Sequence, residues 1–428
     1  MATIPAPTRQ RVVDDLVDRI PTPSLPMRPR VVAAFAFAQL ALFIALLGPV
    51  MVSMAIKVQA VVGAEDATTA AGLILGVGAI AALVANPLFG RLSDRTTSRW
   101  GRRRPWMVGG TVALAAFLFV IAIGTNVPTL LIGWFCAQLA ANAAFAAYLA
   151  TIADQVPPSQ TAKMSALSGV MQNVGVLASL YIASLFTTNM IALFMVPAAI
   201  GVVGMLAYAL VLPDKQIPVK PASQGLKSVL QTFWVSPRRH PDFAWAWISR
   251  FMLILGSFMF STFRFFWMTD HLGLDAKSAT QTVLVGVFVY TAVLVVLGQA
   301  AGWLSDRIGR RKIFVFASTA LFAIGLGLLT QVHTVGQFYV VEAILGAAFG
   351  IYMGVDLALV IACLPNPDDC AKDLGVFNIA NAGPQSLAPF VGAVLIGGAA
   401  KNYDLLYVTA AALTFLGALA IVPVKKVK

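Results

Sequence analysis

Gly90-Arg-Leu-Ser-Asp94-Arg-Thr-Thr-Ser-Arg-Trp-Gly101-Arg-Arg-Arg104-Pro105 sets six arginines and one aspartate between two apolar runs, residues 69–89 and 106–124. Each run approaches the roughly 20 residues that cross a bilayer as helix. A second copy, Gly302-Trp-Leu-Ser-Asp306-Arg-Ile-Gly309-Arg-Arg-Lys312, follows 212 residues later, in a chain of 428 residues. One basic hairpin between two membrane helices therefore recurs at the same place in both halves. Repeated halves can rock around a site between them.

Composition agrees. The chain is 59% hydrophobic and 11% charged, with mean hydropathy +0.83. Soluble domains carry about 25% charged residues. A net charge of +12 raises nucleic acid as a partner, but the cations sit in short loops between apolar runs, as the positive-inside rule requires. The lipid bilayer is the partner they imply, and nucleic acid is excluded. Cys136, Cys363 and Cys370 have no metal-ligand spacing. No phosphate loop, nucleotide fingerprint or catalytic constellation stands out, so neither an ATP-driven pump nor an enzyme is expected, and no cofactor or metal.

The expected fold is an all-α membrane protein with twelve transmembrane helices in two six-helix bundles and both termini cytoplasmic. Residues 1–30 form an N-terminal tail, 31–212 the first bundle, 213–242 a cytoplasmic linker, 243–423 the second bundle and 424–428 a C-terminal tail. The spans are 31–54, 69–89, 106–124, 129–151, 164–186, 190–212, 243–268, 280–303, 313–330, 335–362, 374–398 and 405–422. With that topology, 25 of the 30 Lys and Arg residues fall inside and three outside, Lys57, Lys277 and Lys401. Arg250 and Arg264 fall within span seven. One missed span would invert every later loop, so the split supports the count.

Twelve spans, a central linker and two copies of G-x-x-x-D-R with a following G-R-R-[RK] resemble the major facilitator superfamily. The longer first copy, with Thr96 to Trp100 inserted, is similar to the glycoside–pentoside–hexuronide branch and the sucrose–proton symporters. Gly375-Val-Phe-Asn378-Ile-Ala-Asn381-Ala-Gly-Pro384-Gln385 resembles a sucrose-transporter stretch. The sequence departs from that branch in two places: residues 69–89 carry no acid, and residues 129–151 lack an Asp and an Arg. The glycine-proline pattern of drug antiporters in span five is absent, that span reading Ser168-Gly-Val-Met-Gln172-Asn173-Val-Gly175.

The resemblance gives the basic loops a gating role, in which they latch the two bundles on the cytoplasmic side through Asp94, Arg95, Arg102, Asp306, Arg307 and Arg310. The plain alternative is topology signalling by the arginines. It also gives Asp154 and Lys163 counterparts in Asp373 and Lys372, as structural groups.

Charges inside the membrane cost ~2.5–3.5 kcal/mol each on insertion scales. Arg250 and Arg264 lie 14 residues apart in span seven, and Glu342 and Asp356 lie 14 apart in span ten. Fourteen residues is close to four helical turns. The two spans run in opposite directions, so the depths match as Arg250–Asp356 and Arg264–Glu342. Two readings stay open: coupling or gating pairs that exchange protons, or static packing pairs. The other polar groups on cavity helices are Gln39, Gln138, Asn142, Tyr148, Gln172, Asn173, Trp267, Tyr352, Asn378, Asn381 and Gln385. Amides and aromatic faces suit a hydroxyl-rich neutral solute; interhelical hydrogen bonding is the alternative for each.

The expectation is a monomeric secondary transporter in the cell membrane, plasma membrane or bacterial inner membrane. It moves a small polar solute, a sugar or glycoside, by alternating access, with protons as the coupling ion. Efflux of an amphipathic compound, and a non-transporting membrane sensor with a transporter fold, remain as alternatives.

Overall fold

The structure is a computed structural model that describes residues 26–214, 238, 240–363 and 370–425. Most of the tail 1–30, most of the linker 213–242 and the last three residues lie outside the described residues, as do the side chains of Asp306, Lys372, Asp373 and Asn378. All described regular structure is helical. In lipid this follows from the backbone, because a helix satisfies every N–H and C=O within one segment.

The helices are α1 (Pro29–Gly48), α2 (Met54–Asp94), α3 (Arg104–Ile123), α4 (Val127–Gln155), α5 (Pro158–Leu185), α6 (Met190–Val211), α7 (Pro241–Asp270), α8 (Ala276–Ile308), α9 (Arg311–Leu328), α10 (Val335–Cys363), α11 (Cys370–Ile396) and α12 (Tyr403–Ala420). Among the described residues, 11 helical stretches are long and apolar enough to cross a membrane. The first stretch, Pro29–Asp94, holds two helical arms. One arm runs from α1 through a π-helical turn, Pro49–Ser53, into the start of α2, and the chain leaves helical geometry at Gly63, whose φ of 80° is open to glycine; the second arm follows to Asp94.

The continuation of the first arm past Met54 corrects one expectation. Lys57, assigned to an outside loop, sits on α2, is buried and donates from Nζ to the Ala122 carbonyl at 2.7 Å. Its stem lies along apolar surface while the ammonium caps the C-terminal turn of α3.

The helix ends divide by chemistry. At the end bearing the basic loops, α1, α5 and α7 begin at proline and α3 at Arg104-Pro105. At the opposite end, α4, α6, α8 and α12 are capped by Asn126, Asn189, Asp275 and Asn402, each side chain accepting a backbone N–H of the first turn. α10 starts with a capping box, Gln337 N–H to Thr334 Oγ1 at 3.3 Å and Thr334 N–H to Gln337 Oε1 at 3.1 Å.

Close helix packing uses glycine. A Cβ on Gly302 would stand 3.3 Å from the Gly354 carbonyl oxygen, and one on Gly354 would stand 3.2 Å from the Gly298 carbonyl carbon. The first glycine of the second basic motif is thus a contact point between α8 and α10, in the manner of small residues at membrane helix interfaces.

The two halves meet at the end away from the basic loops. A Cβ on Gly72 would meet the Pro389 carbonyl at 2.7 Å, and one on Gly76 would meet the Phe390 ring at 2.5 Å. There too α5 and α8 face each other across an apolar groove lined by Val174, Leu177, Ala178, Tyr181, Leu284, Val285 and Phe288.

Candidate functional site

The first basic loop closes on its own half. Arg103, the residue before α3, is 3% exposed. Its guanidinium meets Asp94 Oδ1 at 2.6 Å, Asp154 Oδ2 at 2.8 Å and Ser93 Oγ at 2.5 Å. Arg102 pairs with the other oxygen of Asp154. Burial works against the Arg103 charge, but the hydrogen bond and charge of Asp154, joined by those of Asp94, outweigh it and raise its pKa above the ordinary value. Asp214 accepts the backbone N–H groups of Arg103 and Arg104 at 2.8 and 3.0 Å, a carboxylate at a helix N-terminus. Gly101, at φ 98°, lies against Asp214, where a Cβ would overlap the carboxylate. The Arg104 guanidinium donates to the Leu212 carbonyl at the end of α6. In the second half Lys312 does the same, donating to the Val422 and Val424 carbonyls beyond α12 at 2.5 and 2.8 Å.

Sequence reasoning singled out Asp94, Arg95 and Arg102 here and missed Arg103 and Asp214. The partners seen for this loop belong to α2, α4 and the end of α6, all in one half. Arg95 is half-buried, and its Nε has no partner. In the second loop Arg307 lies over the Trp303 ring at 5.4 Å, and Arg310 is exposed.

Two ion pairs bridge α7 and α10. Arg264 Nη1 donates to Glu342 Oε1 at 2.7 Å, both groups buried. Arg250 Nη1 pairs with Asp356. Arg250 Nε donates to Asn381 Oδ1 on α11 at 2.7 Å, its guanidinium lies 4.9 Å from the Phe377 ring centre, and Tyr352 hydrogen-bonds the Asp356 carboxylate. Both pairs therefore have cation–π support, Arg264 lying over Phe260 at 5.2 Å.

The remaining polar residues are spread through the molecule. Tyr148 is buried in the first half, its hydroxyl donating to the Phe35 carbonyl at 3.0 Å and its ring stacked on Phe35 at 4.6 Å. Gln39 is buried with Oε1 unpartnered. Asn142 Nδ2 donates to the Gln138 carbonyl at 2.9 Å, one turn earlier on α4. Gln172, Asn173 and Gln385 are exposed, and Asn173 Nδ2 donates to the Gly169 carbonyl at 2.9 Å. Trp267 is buried, stacked on His271 at 5.1 Å and edge-on to Tyr407 at 6.0 Å. Tyr407, in an apolar run that gave no signal, packs its ring against Phe260 and Trp267, which flank Arg264 along α7.

Paired half-repeats, basic loops at one end and buried ion pairs across membrane helices define a polytopic membrane protein of the transporter type. The sequence profile of the Major Facilitator Superfamily matches residues 31–301 and 286–428, and the chain belongs to that family. It is a multi-pass protein of the cell membrane. Part of it is 53% identical, over 47 residues, to an uncharacterized symporter, sll1374, of Synechocystis; that match covers 11% of this chain and 9% of the relative. A stretch of 64 residues is 41% identical to the sucrose transport protein SUC4 of Arabidopsis thaliana, covering 15% of this chain and 12% of the relative. The chain thus spans about a tenth of the length of these relatives in matched sequence. The crystal structure of the nucleoside transporter NupG (D323A mutant) superimposes with a TM-score of 0.73 at 14% identity, covering 91% of this chain and 98% of that one. At that identity the likeness speaks for the fold.

Proposed function

We propose that this chain is a secondary transporter that moves a small polar solute of the sugar or glycoside class by alternating access, driven by protons. Its twelve crossings count α1 and α2 separately, with the basic end and both termini cytoplasmic. The observation that carries the reading is the pair of buried arginine–acid contacts at two depths between α7 and α10. Charges at such depth are costly and mark ion or substrate pathways. When a pair opens, its carboxylate loses the arginine and takes a proton from whichever side is open.

Two further features support it. The halves touch at the end away from the basic loops, through Gly72 and Gly76 against α11, which matches a carrier open to the cytoplasm. The 41% identity to a sucrose transport protein favours a hydroxyl-rich solute. Asn381 and Tyr352 hold the Arg250–Asp356 pair, so solute binding and pair opening share residues. The test is uptake into proteoliposomes across a panel of labelled sugars, with and without an imposed pH gradient. Gradient-dependent uptake of at least one sugar is expected; no uptake of any sugar under either condition overturns the substrate class.

A further inference from the structure

Among the buried polar atoms of the second half that have no hydrogen-bond partner are Arg264 Nε, Glu342 Oε2 and Tyr407 Oη, the first two belonging to one ion pair. They belong to one cluster. Arg264 and Glu342 use one N–H and one oxygen on each other, leaving Arg264 Nε and Glu342 Oε2 without a partner. Tyr407, on α12, packs edge-on against Trp267, three residues beyond Arg264 on α7, with ring centres 6.0 Å apart. Its ring stands 6.2 Å from Phe260, the ring beneath the Arg264 guanidinium. An unpaired buried polar atom is costly, and most costly on a charged group such as Arg264 or Glu342.

The unused atoms are one acceptor, the carboxylate oxygen, and two donors, the guanidinium N–H and the phenol O–H. A hydroxyl group offers the complement, one donor and two lone pairs. Met51, on the π-helical turn of the first half, brings its Sδ to 4.0 Å from Arg264 Nη2. A thioether is a weak acceptor and excludes water. We propose that Arg264, Glu342 and Tyr407 form a hydroxyl-binding subsite, covered by Met51 in this conformation and uncovered when the halves part at the end away from the basic loops. The uncovering rests on the alternating-access reading above; the donor–acceptor complement stands without it. The hydroxyl comes either from the solute or from a water molecule.

The test uses the full-length protein in detergent, with Tyr407→Phe, which keeps the ring and removes one donor. Two readouts are taken, equilibrium binding of labelled sucrose and the infrared difference spectrum in the O–H stretching region. If the hydroxyl is the solute's, the variant binds sucrose about tenfold more weakly, the loss of roughly one buried hydrogen bond. If it is water's, sucrose affinity is unchanged and a narrow O–H band present in the wild type disappears. Unchanged affinity together with an unchanged band overturns the subsite. Failure of sucrose to bind the wild type counts against the carrier reading for that sugar, and the infrared readout still decides the subsite. Met51→Ala tests the cover: transfer to heavy water should exchange the O–H signal about tenfold faster than in the wild type, by the same arithmetic of one lost contact. An equal rate overturns the role of Met51.

Discussion

Arg103 and Asp94 face each other across 2.6 Å, yet they are not equal partners. Arg103 is nearly inaccessible, whereas the Asp94 side chain is 54% exposed. Truncating Arg103 leaves one oxygen of the Asp154 carboxylate unpaired and removes a donor to the Ser93 hydroxyl, so Arg103→Ala should cost roughly 1–3 kcal/mol. Asp94→Asn removes a half-solvated pair and should cost under about 1 kcal/mol. Melting temperatures of the two purified variants check the order; a larger loss for Asp94→Asn contradicts it. Nothing in the sequence distinguishes Arg103 from the five other arginines of its loop, because all six obey the same topology rule. What separates them is the fold of α4 and α6, whose ends bring Asp154 and Asp214 from 51 and 111 residues away. The ion pairs of the second half were legible for the opposite reason. A charged residue in an apolar run is rare, and two equal spacings of 14 residues on antiparallel spans leave one way to pair them.

Helix starts at the end away from the basic loops are set by short polar side chains, and one of them titrates. Asp275 lies outside the membrane span. Its carboxylate is held below the usual range, first by the Ser278 side chain and then, against an opposing desolvation, by the Ser278 and Lys277 backbone N–H groups. A depressed folded-state pKa contributes stability above the ordinary carboxylate range and loses it as pH falls through the lowered value. The acid side of the melting-temperature profile should therefore flatten in Asp275→Asn, which caps α8 without a charge; an unchanged profile assigns the acid sensitivity elsewhere. A second prediction concerns the contact of α8 with α10. Gly354→Val places branched carbon against the Gly298 carbonyl and should cost about 1–3 kcal/mol through overpacking. A melting temperature equal to wild type would show that the helices can separate there. The caps are Asn, Asp and Thr before apolar runs, a signal that sequence reasoning passed over. The continuation of the first arm from α1 past Met54 to the break at Gly63 was not legible, because Lys57 looks like a loop residue until its helix is seen to carry on.

At the scale of the whole molecule, the halves touch where α2 meets α11, and rocking has to separate them there. Cysteines replacing Gly76 and Phe390, in a background without Cys136, Cys363 and Cys370, should form a bridge with a short bifunctional thiol reagent. The bridged carrier should lose most uptake and recover it on cleavage of the linker; undiminished uptake when bridged excludes motion at this contact. The repeated motif and the charge split disclosed two halves from sequence, because topology is written in composition. Which end is shut is a matter of packing between distant segments and left no trace in any one stretch. The central claim is that the buried pairs connect proton entry to solute movement. It is tested most directly by comparing accumulation and exchange of the sugar found in the uptake screen, in proteoliposomes bearing wild type, Glu342→Gln or Asp356→Asn. Both variants should still exchange labelled for unlabelled solute while failing to accumulate it under a pH gradient. Accumulation by both variants at wild-type levels would contradict the claim and leave the pairs as fixed packing contacts.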